Sequence, residues 1–167
     1  YPIATFGILR AGLTVVNVNP LYTARELKHQ LVDSGASVLV VIDNFGHTLA
    51  EVIADTPVKQ VITTALGDML DFPKRPIVNF VLKYVRKMVP DYHIGHAIRF
   101  ADVLKAGRRH ILPPVSLNHQ DIAFLQYTGG TTGVAKGAML THGNMVANMQ
   151  QAAAWVGGNA RAGKEVI

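Results

Sequence analysis

The chain has 167 residues, enough for one α/β unit with its own core and short for a two-domain enzyme. It carries no cysteine, which excludes disulfide frameworks, cysteine zinc sites and thiol nucleophiles, and fits a reducing compartment. Sixteen basic against eleven acidic residues, a formal net charge of +5, suit anionic partners such as nucleotides, acyl-CoA, lipid headgroups or nucleic acid.

No run reaches the roughly eighteen apolar residues of a membrane-spanning helix, and no signal-peptide pattern opens the chain. Pro2 suits a helix first turn, and Ile3, Phe6, Leu9 and Leu13 follow at helical spacing up to a stop at Gly12. Val15-Val16-Asn17-Val18 reads as a short strand ended by Asn19-Pro20. Thr23 and Glu26 have capping-box spacing, so a helix is expected to start there, bury Leu27 and Leu31, and stop at Gly35. Val38 to Ile42 is a continuous apolar run suited to a parallel strand covered on both faces. Asp43 or Asn44 is expected to cap a helix carrying Phe45, Leu49, Val52 and Ile53, with the next strand at Val58 to Ile62. Helix and strand alternate, which argues for an α/β fold of βαβ units around a mainly parallel sheet.

Leu66 to Pro76 is a break rich in proline and charge. After it, Ile77 to Val89 reads as a helix on which Asn79, Lys83, Arg86 and Lys87 line one stripe. Two readings stay open. The favoured one is a nearly buried helix with a solvated basic edge; the other is an interfacial helix in peripheral contact with a membrane. His93-Ile94-Gly95-His96 spells a tetrapeptide of class I aminoacyl-tRNA synthetases, but it follows a helix and lacks the partner loop. As a metal site it is two histidines without a third ligand. Lys105, Arg108, Arg109 and His110 follow a small helix at Ala101 to Ala106. With no interleaved aromatics they read as a solvated patch, and no nucleic-acid partner is assigned. Pro113-Pro114 and Ser116 to His119 form a linker before the strand Ile122 to Tyr127. Thr141 is expected to cap a last helix bearing Met145, Met149, Ala152, Ala153 and Val156, with the methionines in the core. His142 is read as a polar residue at that helix start.

The stretch of most chemical interest is Tyr127-Thr128-Gly129-Gly130-Thr131-Thr132-Gly133-Val134-Ala135-Lys136-Gly137, which runs on into Ala138. Four glycines, three threonines and one lysine in eleven residues make a poor core element and a good anion cradle. Glycines let backbone amides approach a ligand, inward-turned amides form a nest, and hydroxyls and a lysine add donors suited to phosphate. Composition alone leaves this reading level with a plain hairpin connection. It is not a Walker A loop, which needs Gly-Lys followed by Ser or Thr, and no G-x-G-x-x-G fingerprint is present.

The same stretch resembles the phosphate loop of the adenylate-forming enzymes, namely acyl-CoA synthetases, luciferases and peptide-synthetase adenylation domains. Their signature reads Tyr-Thr-Ser-Gly-Thr-Thr-Gly-x-Pro-Lys-Gly, then a short apolar strand and Thr-His-x-Asn. This chain continues Ala138-Met139-Leu140-Thr141-His142-Gly143-Asn144. It departs at Gly129 for Ser and Ala135 for Pro, losing one hydroxyl and one rigid φ. Both departures, together with Asn17 to Thr23, Glu26-Leu27 and Asp33 to Ala36, resemble bacterial long-chain fatty-acid–CoA ligases. Residues 17 to 36 have capping, turn or packing explanations, so no ligand role is carried onto them.

The resemblance implies part of the large N-terminal domain of such an enzyme. ATP and a fatty acid would give an acyl-adenylate and pyrophosphate, and coenzyme A would displace AMP, with Mg²⁺ on the phosphates. Tyr127, Thr128, Gly129, Gly130, Thr131, Thr132, Gly133, Val134, Ala135, Lys136, Gly137 and Ala138 are the expected ATP phosphate site. The ribose, metal, adenine and acyl-binding residues of the family lie after this stretch, so no catalytic residue and no metal ligand is assigned within the chain. The expected segments are an α/β portion over 1–120, a strand–loop–strand over 121–144 and a helix with a cut end over 145–167. A tyrosine start and a strand-like finish at Lys164 to Ile167 fit an internal piece of a longer protein. The expected location is cytoplasmic, and a peripheral seat on the inner face of the cytoplasmic membrane stays open as an alternative. The rival readings are an adenylate-forming enzyme for another carboxylic acid and a non-catalytic, basic membrane-binding module.

Overall fold

The computed structural model of the chain describes residues 1–128 and 135–157. They divide into two compact units, one made of residues 1–17 and 114 onward, the other of residues 18–113. The units therefore run differently from the three segments expected along the sequence, because the first seventeen residues join the C-terminal part. The α/β alternation holds and most strand pairs are parallel, but the strands divide between two three-stranded sheets.

In the first unit, helix α1 (Pro2–Arg10) leads into strand β1 (Val15–Asn17). Gly12, just past the helix, has φ +72°, and a Cβ there would lie 2.5 Å from Cγ1 of Val115. Both the left-handed backbone and the close neighbour require glycine. Strand β5 (Ile122–Thr128) is the middle of this sheet. It pairs parallel with β1, Val15 opposite Phe124, and antiparallel with β6 (Lys136–Thr141). Helix α6 (His142–Val156) starts on the expected capping box: Thr141 Oγ1 accepts from the Asn144 amide at 3.2 Å, and Asn144 Oδ1 accepts from the Thr141 amide at 3.0 Å. None of its residues is buried, and Met149 is exposed. The methionines are thus not fully buried core residues: Met145 is half-buried and Met149 exposed.

The second unit holds the larger core. Helix α2 (Ala24–Ser34) begins on the Thr23–Glu26 capping box and ends at Gly35, φ +64°, as the spacing predicts. Leu27 and Leu31 of α2 pack with Leu49, Val52 and Val61. Strands β2 (Val38–Ile42), β3 (Gln60–Thr64) and β4 (Ala97–Arg99) form an all-parallel sheet. Strand β3 begins two residues later than its apolar run suggests, and β4 is too short and too exposed to show in the sequence.

Two local expectations are corrected. The helix expected after Asp43 breaks into a 3₁₀ turn at Asp43–Phe45, a five-residue helix α3 (Gly46–Ala50) and another 3₁₀ turn at Ile53–Asp55. Asp43 caps nothing. Its buried carboxylate accepts from the Tyr92 hydroxyl and from the Arg99 guanidinium, each at 2.7 Å. The second correction concerns the segment expected as a nearly buried helix over Ile77–Val89. Helix α4 (Lys74–Phe80) starts three residues earlier and continues through one wide turn at Val81–Val85, and none of it is buried. Asn79 leaves the basic stripe and turns inward, where its side chain bonds the Gly67 amide and the Asp68 carboxylate. A short helix α5 (Phe100–Gly107) follows β4.

Candidate functional site

The expected phosphate stretch runs from the last two residues of β5, Tyr127 and Thr128, to the first three of β6, Lys136, Gly137 and Ala138. β5 reaches it because Ile122 to Thr128 alternates faces: Ala123 and Tyr127 are buried while Ile122 and Thr128 are exposed. Gly137 stands opposite Tyr127 in the antiparallel register and Lys136 stands opposite Thr128. Seven residues, Gly129 to Ala135, join the two strands, where two to five ordinarily suffice for a hairpin. Gly129, Gly130, Thr131, Thr132, Gly133 and Val134 lie outside the described residues.

The mouth of that hairpin brings together Thr128 and Lys136, both exposed. One offers a hydroxyl and the other an ammonium group, and among the described residues no acidic side chain pairs with Lys136. An anionic ligand approaching the mouth therefore meets a hydroxyl and an ammonium group that no carboxylate among the described residues pairs with. Ala135 is half-buried, and Ala138, opposite Gln126, is exposed.

Behind the mouth the strands are locked by packing. A Cβ on Gly137 would lie 2.9 Å from Cε2 of Tyr127 and 3.1 Å from Cζ, so the tyrosine ring lies across the glycine. Glycine is needed here for close approach, since its φ is not among the positive ones. One residue further in, Asn17 of β1 donates from Nδ2 to Gln126 Oε1 at 3.0 Å, and its Oδ1 accepts from the Tyr1 hydroxyl at 2.8 Å. This polar chain ties β5 to its parallel neighbour. Beyond β6, the His142 amide donates to the Asp121 carbonyl at 2.9 Å and the Gly143 amide to the His119 carbonyl at 2.9 Å, which fixes the start of α6. Sequence reading missed the Tyr127–Gly137 contact and the Asn17–Gln126 pair. Both depend on register, and the useful signal was an amide side chain on each of two apolar strands.

The other candidates stay apart from this hairpin mouth. His93 and His96 line an open recess of about 240 Å³ with Lys59 and Ile94 in the second unit. No group of three or more His, Asp or Glu able to hold a metal exists among the described residues. Arg108 and Arg109 are exposed in a turn after α5. The most perturbed group is Tyr92, pushed up to about 12 by burial and then by its bond to the Asp43 carboxylate. The same carboxylate raises the Arg99 guanidinium further above its ordinary value. This cluster is internally satisfied and reads as a structural tie at the end of the second sheet.

Comparison with known proteins bears on the chain as a whole. The family model described as AMP-binding enzyme matches residues 1–166. A long-chain-fatty-acid–CoA ligase of Escherichia coli is 56% identical over 167 residues, covering 100% of this chain and 30% of that protein. The corresponding ligase of Haemophilus influenzae is 61% identical over 154 residues, 91% of this chain and 27% of that protein. Among solved structures, a long-chain-fatty-acid–CoA ligase from Archaeoglobus fulgidus superposes with a TM-score of 0.61 at 30% identity, covering 94% of this chain and 26% of that one. The chain thus spans less than a third of the relatives it matches. With the family model matched along nearly its whole length, this chain belongs to the AMP-binding enzyme family.

Proposed function

We propose that the protein containing this chain is an ATP-dependent, AMP-forming acid–thiol ligase that activates long-chain fatty acids and transfers them to coenzyme A. The observation that carries the reading is similarity to long-chain-fatty-acid–CoA ligases along the whole chain, with the glycine- and threonine-rich connection at the mouth of the β5–β6 hairpin.

The chemistry sets what the hairpin has to do. A carboxylate attacks the α-phosphoryl group of ATP, so two anions are brought together and pyrophosphate leaves with added charge. Donors fixed in advance around the leaving group lower that barrier. In this reading the amides of Gly129, Gly130 and Gly133 and the hydroxyls of Thr131 and Thr132 hold the β- and γ-phosphates. Thr128 adds a hydroxyl at the entry, and Lys136, opposite it, adds positive charge. Coenzyme A then attacks the acyl carbonyl and AMP departs. Mg²⁺, when bound, neutralises phosphate charge. No metal-holding cluster is present among the described residues, so none of them is given that role.

We place the enzyme in the cytoplasm, seated peripherally on the inner face of the cytoplasmic membrane, where long acyl chains partition. The test is Lys136→Ala and Thr132→Ala in the intact protein. ATP- and fatty-acid-dependent pyrophosphate release is expected to fall by about tenfold to a hundredfold or more with little change in melting temperature. Unchanged release with a normal melting curve would count against the phosphate assignment.

A further inference from the structure

Between Phe72 and Pro90 the chain carries five basic residues, Lys74, Arg75, Lys83, Arg86 and Lys87, and no acidic one. One side of this segment is tied to its unit. Asn79 Oδ1 accepts from the Gly67 amide at 2.9 Å, and Asn79 Nδ2 donates to Asp68 Oδ1 at 3.0 Å. Arg75 Nε lies 3.6 Å from the same oxygen. At the far end the Asn44 side chain donates to the Met88 carbonyl at 2.8 Å, and Val78 and Leu82 are half-buried along the inner side. The opposite side is bare. Ile77, Phe80 and Tyr84 follow at helical spacing and are all exposed, Phe80 at 58% and Tyr84 at 61%, and Met88, past the end of the helical segment, is exposed as well. Phe72, just before the helix, is 88% exposed. The Phe80 and Tyr84 rings lie 5.0 Å apart, and Lys83 Nζ stands 5.6 Å from the Tyr84 ring centre.

The other exposed apolar helices offer a contrast. Helix α6 leaves Met149 and Trp155 exposed but has no Lys, Arg, Asp or Glu, and α1 has only Arg10. Uncharged faces of that kind suit packing against protein. A face on which aromatic and aliphatic side chains stand beside Lys83, Arg86 and Lys87, none of which has an ion pair among the described residues, suits a surface that is apolar inside and negative outside. Aromatic rings at the level of the cations complete that match.

Resting on the peripheral seat proposed for the ligase, we propose that Phe72–Met88 is the element by which the protein lies on an anionic phospholipid bilayer. The strip Ile77–Phe80–Tyr84 enters the headgroup layer, and Lys83, Arg86 and Lys87 pair with lipid phosphates. The inward bonds of Asn79 and Arg75 hold the helix flat, so its bare side is presented before lipid arrives.

The experiment uses the intact protein without ATP or CoA. Co-sedimentation is measured with phosphatidylglycerol vesicles and with phosphatidylcholine vesicles, for wild type, for Lys83→Gln/Arg86→Gln/Lys87→Gln and for Arg108→Gln/Arg109→Gln. Wild type is expected to favour phosphatidylglycerol, and the triple variant to lose on the order of a hundredfold in affinity, about fivefold per cation. Ligase turnover on a water-soluble, shorter fatty acid and the melting temperature should stay at wild-type values. Hydrogen exchange on the unaltered protein provides the second readout, with protection of residues 74–88 appearing only when phosphatidylglycerol vesicles are added. Equal binding to both lipids, a loss that tracks Arg108 and Arg109 instead, or no added protection would overturn the assignment. So would a fall in melting temperature of the triple variant, which would mean that protein covers this face. Vesicle binding without any ligase turnover would support the surface and count against the ligase reading alone.

Discussion

Gly137→Ala tests whether the mouth of the hairpin is held by packing. A Cβ at this position meets Cε2 of Tyr127 at 2.9 Å, Cζ at 3.1 Å and Cδ2 at 3.4 Å. Carbon–carbon contacts relax near 3.5 Å, so the ring has to retreat by roughly 0.6 Å. Tyr127 is buried, and its neighbours leave little slack for that movement. Overpacking of this kind costs about 1–3 kcal/mol. Alanine recovers about 0.5–1 kcal/mol relative to glycine in a strand. The balance leaves the variant destabilised by roughly 1 kcal/mol, which lowers Tm. Because Tyr127 leads directly into Thr128 and the loop, pyrophosphate release in the intact protein is expected to drop by about tenfold as the donors shift. Thermal unfolding and pyrophosphate release are read on the same preparation. In a Tyr127→Leu background the clash is absent, and Gly137→Ala should become neutral or mildly stabilising. A higher Tm with unchanged release in the wild-type background would refute the reasoning.

Leu31 has no exposed surface at the centre of the second unit's core, so Leu31→Ala should cost about 2–5 kcal/mol, read from the denaturant midpoint; a loss well below that range would mean the core collapses around the cavity. Thr141→Ala removes the acceptor for the Asn144 amide and should cost about 1 kcal/mol, with Thr141→Ser restoring it. Tyr92 keeps its proton up to about 12 in the folded chain against an ordinary value of 10.0, so the folded state holds a proton that the unfolded state gives up. Its contribution to stability is therefore complete below about pH 10 and is lost as pH rises towards about 12. Tyr92→Phe should flatten that alkaline decline in the denaturant midpoint, and coincident wild-type and variant profiles would contradict it. The chain by itself should form no acyl-CoA above background in a coupled assay, since it spans less than a third of the ligases it resembles.

What could be read from the sequence followed the range of the interactions involved. The Thr23–Glu26 box, the Gly12 and Gly35 stops and the Thr141 cap are set within a few residues, and each was found where spacing put it. The family was legible for a different reason, because the order of residues 127–137 resembles a long, specific signature and the family model matches residues 1–166. Register was not legible. Gly137 read as one more flexible glycine of the loop, whereas it carries the Tyr127 ring, a fact set by strand pairing. Asp43 read as a helix cap, but Tyr92 and Arg99, far along the chain, take its carboxylate. The α4 segment was misjudged because a mostly apolar helix was taken to be mostly covered. Covering depends on neighbours, and Asn79, the residue taken for the polar edge, is the one turned inward.

The central claim, that this hairpin belongs to an enzyme forming acyl-adenylates, is tested most directly by isotope exchange. The intact protein is incubated with ATP, labelled pyrophosphate and a long-chain fatty acid, with coenzyme A omitted, and label entering ATP is measured. Fatty-acid-dependent exchange that is lost with Lys136→Ala is the expected result. Absence of exchange by folded wild-type protein, or exchange supported by amino or aromatic acids and not by long-chain fatty acids, would contradict it.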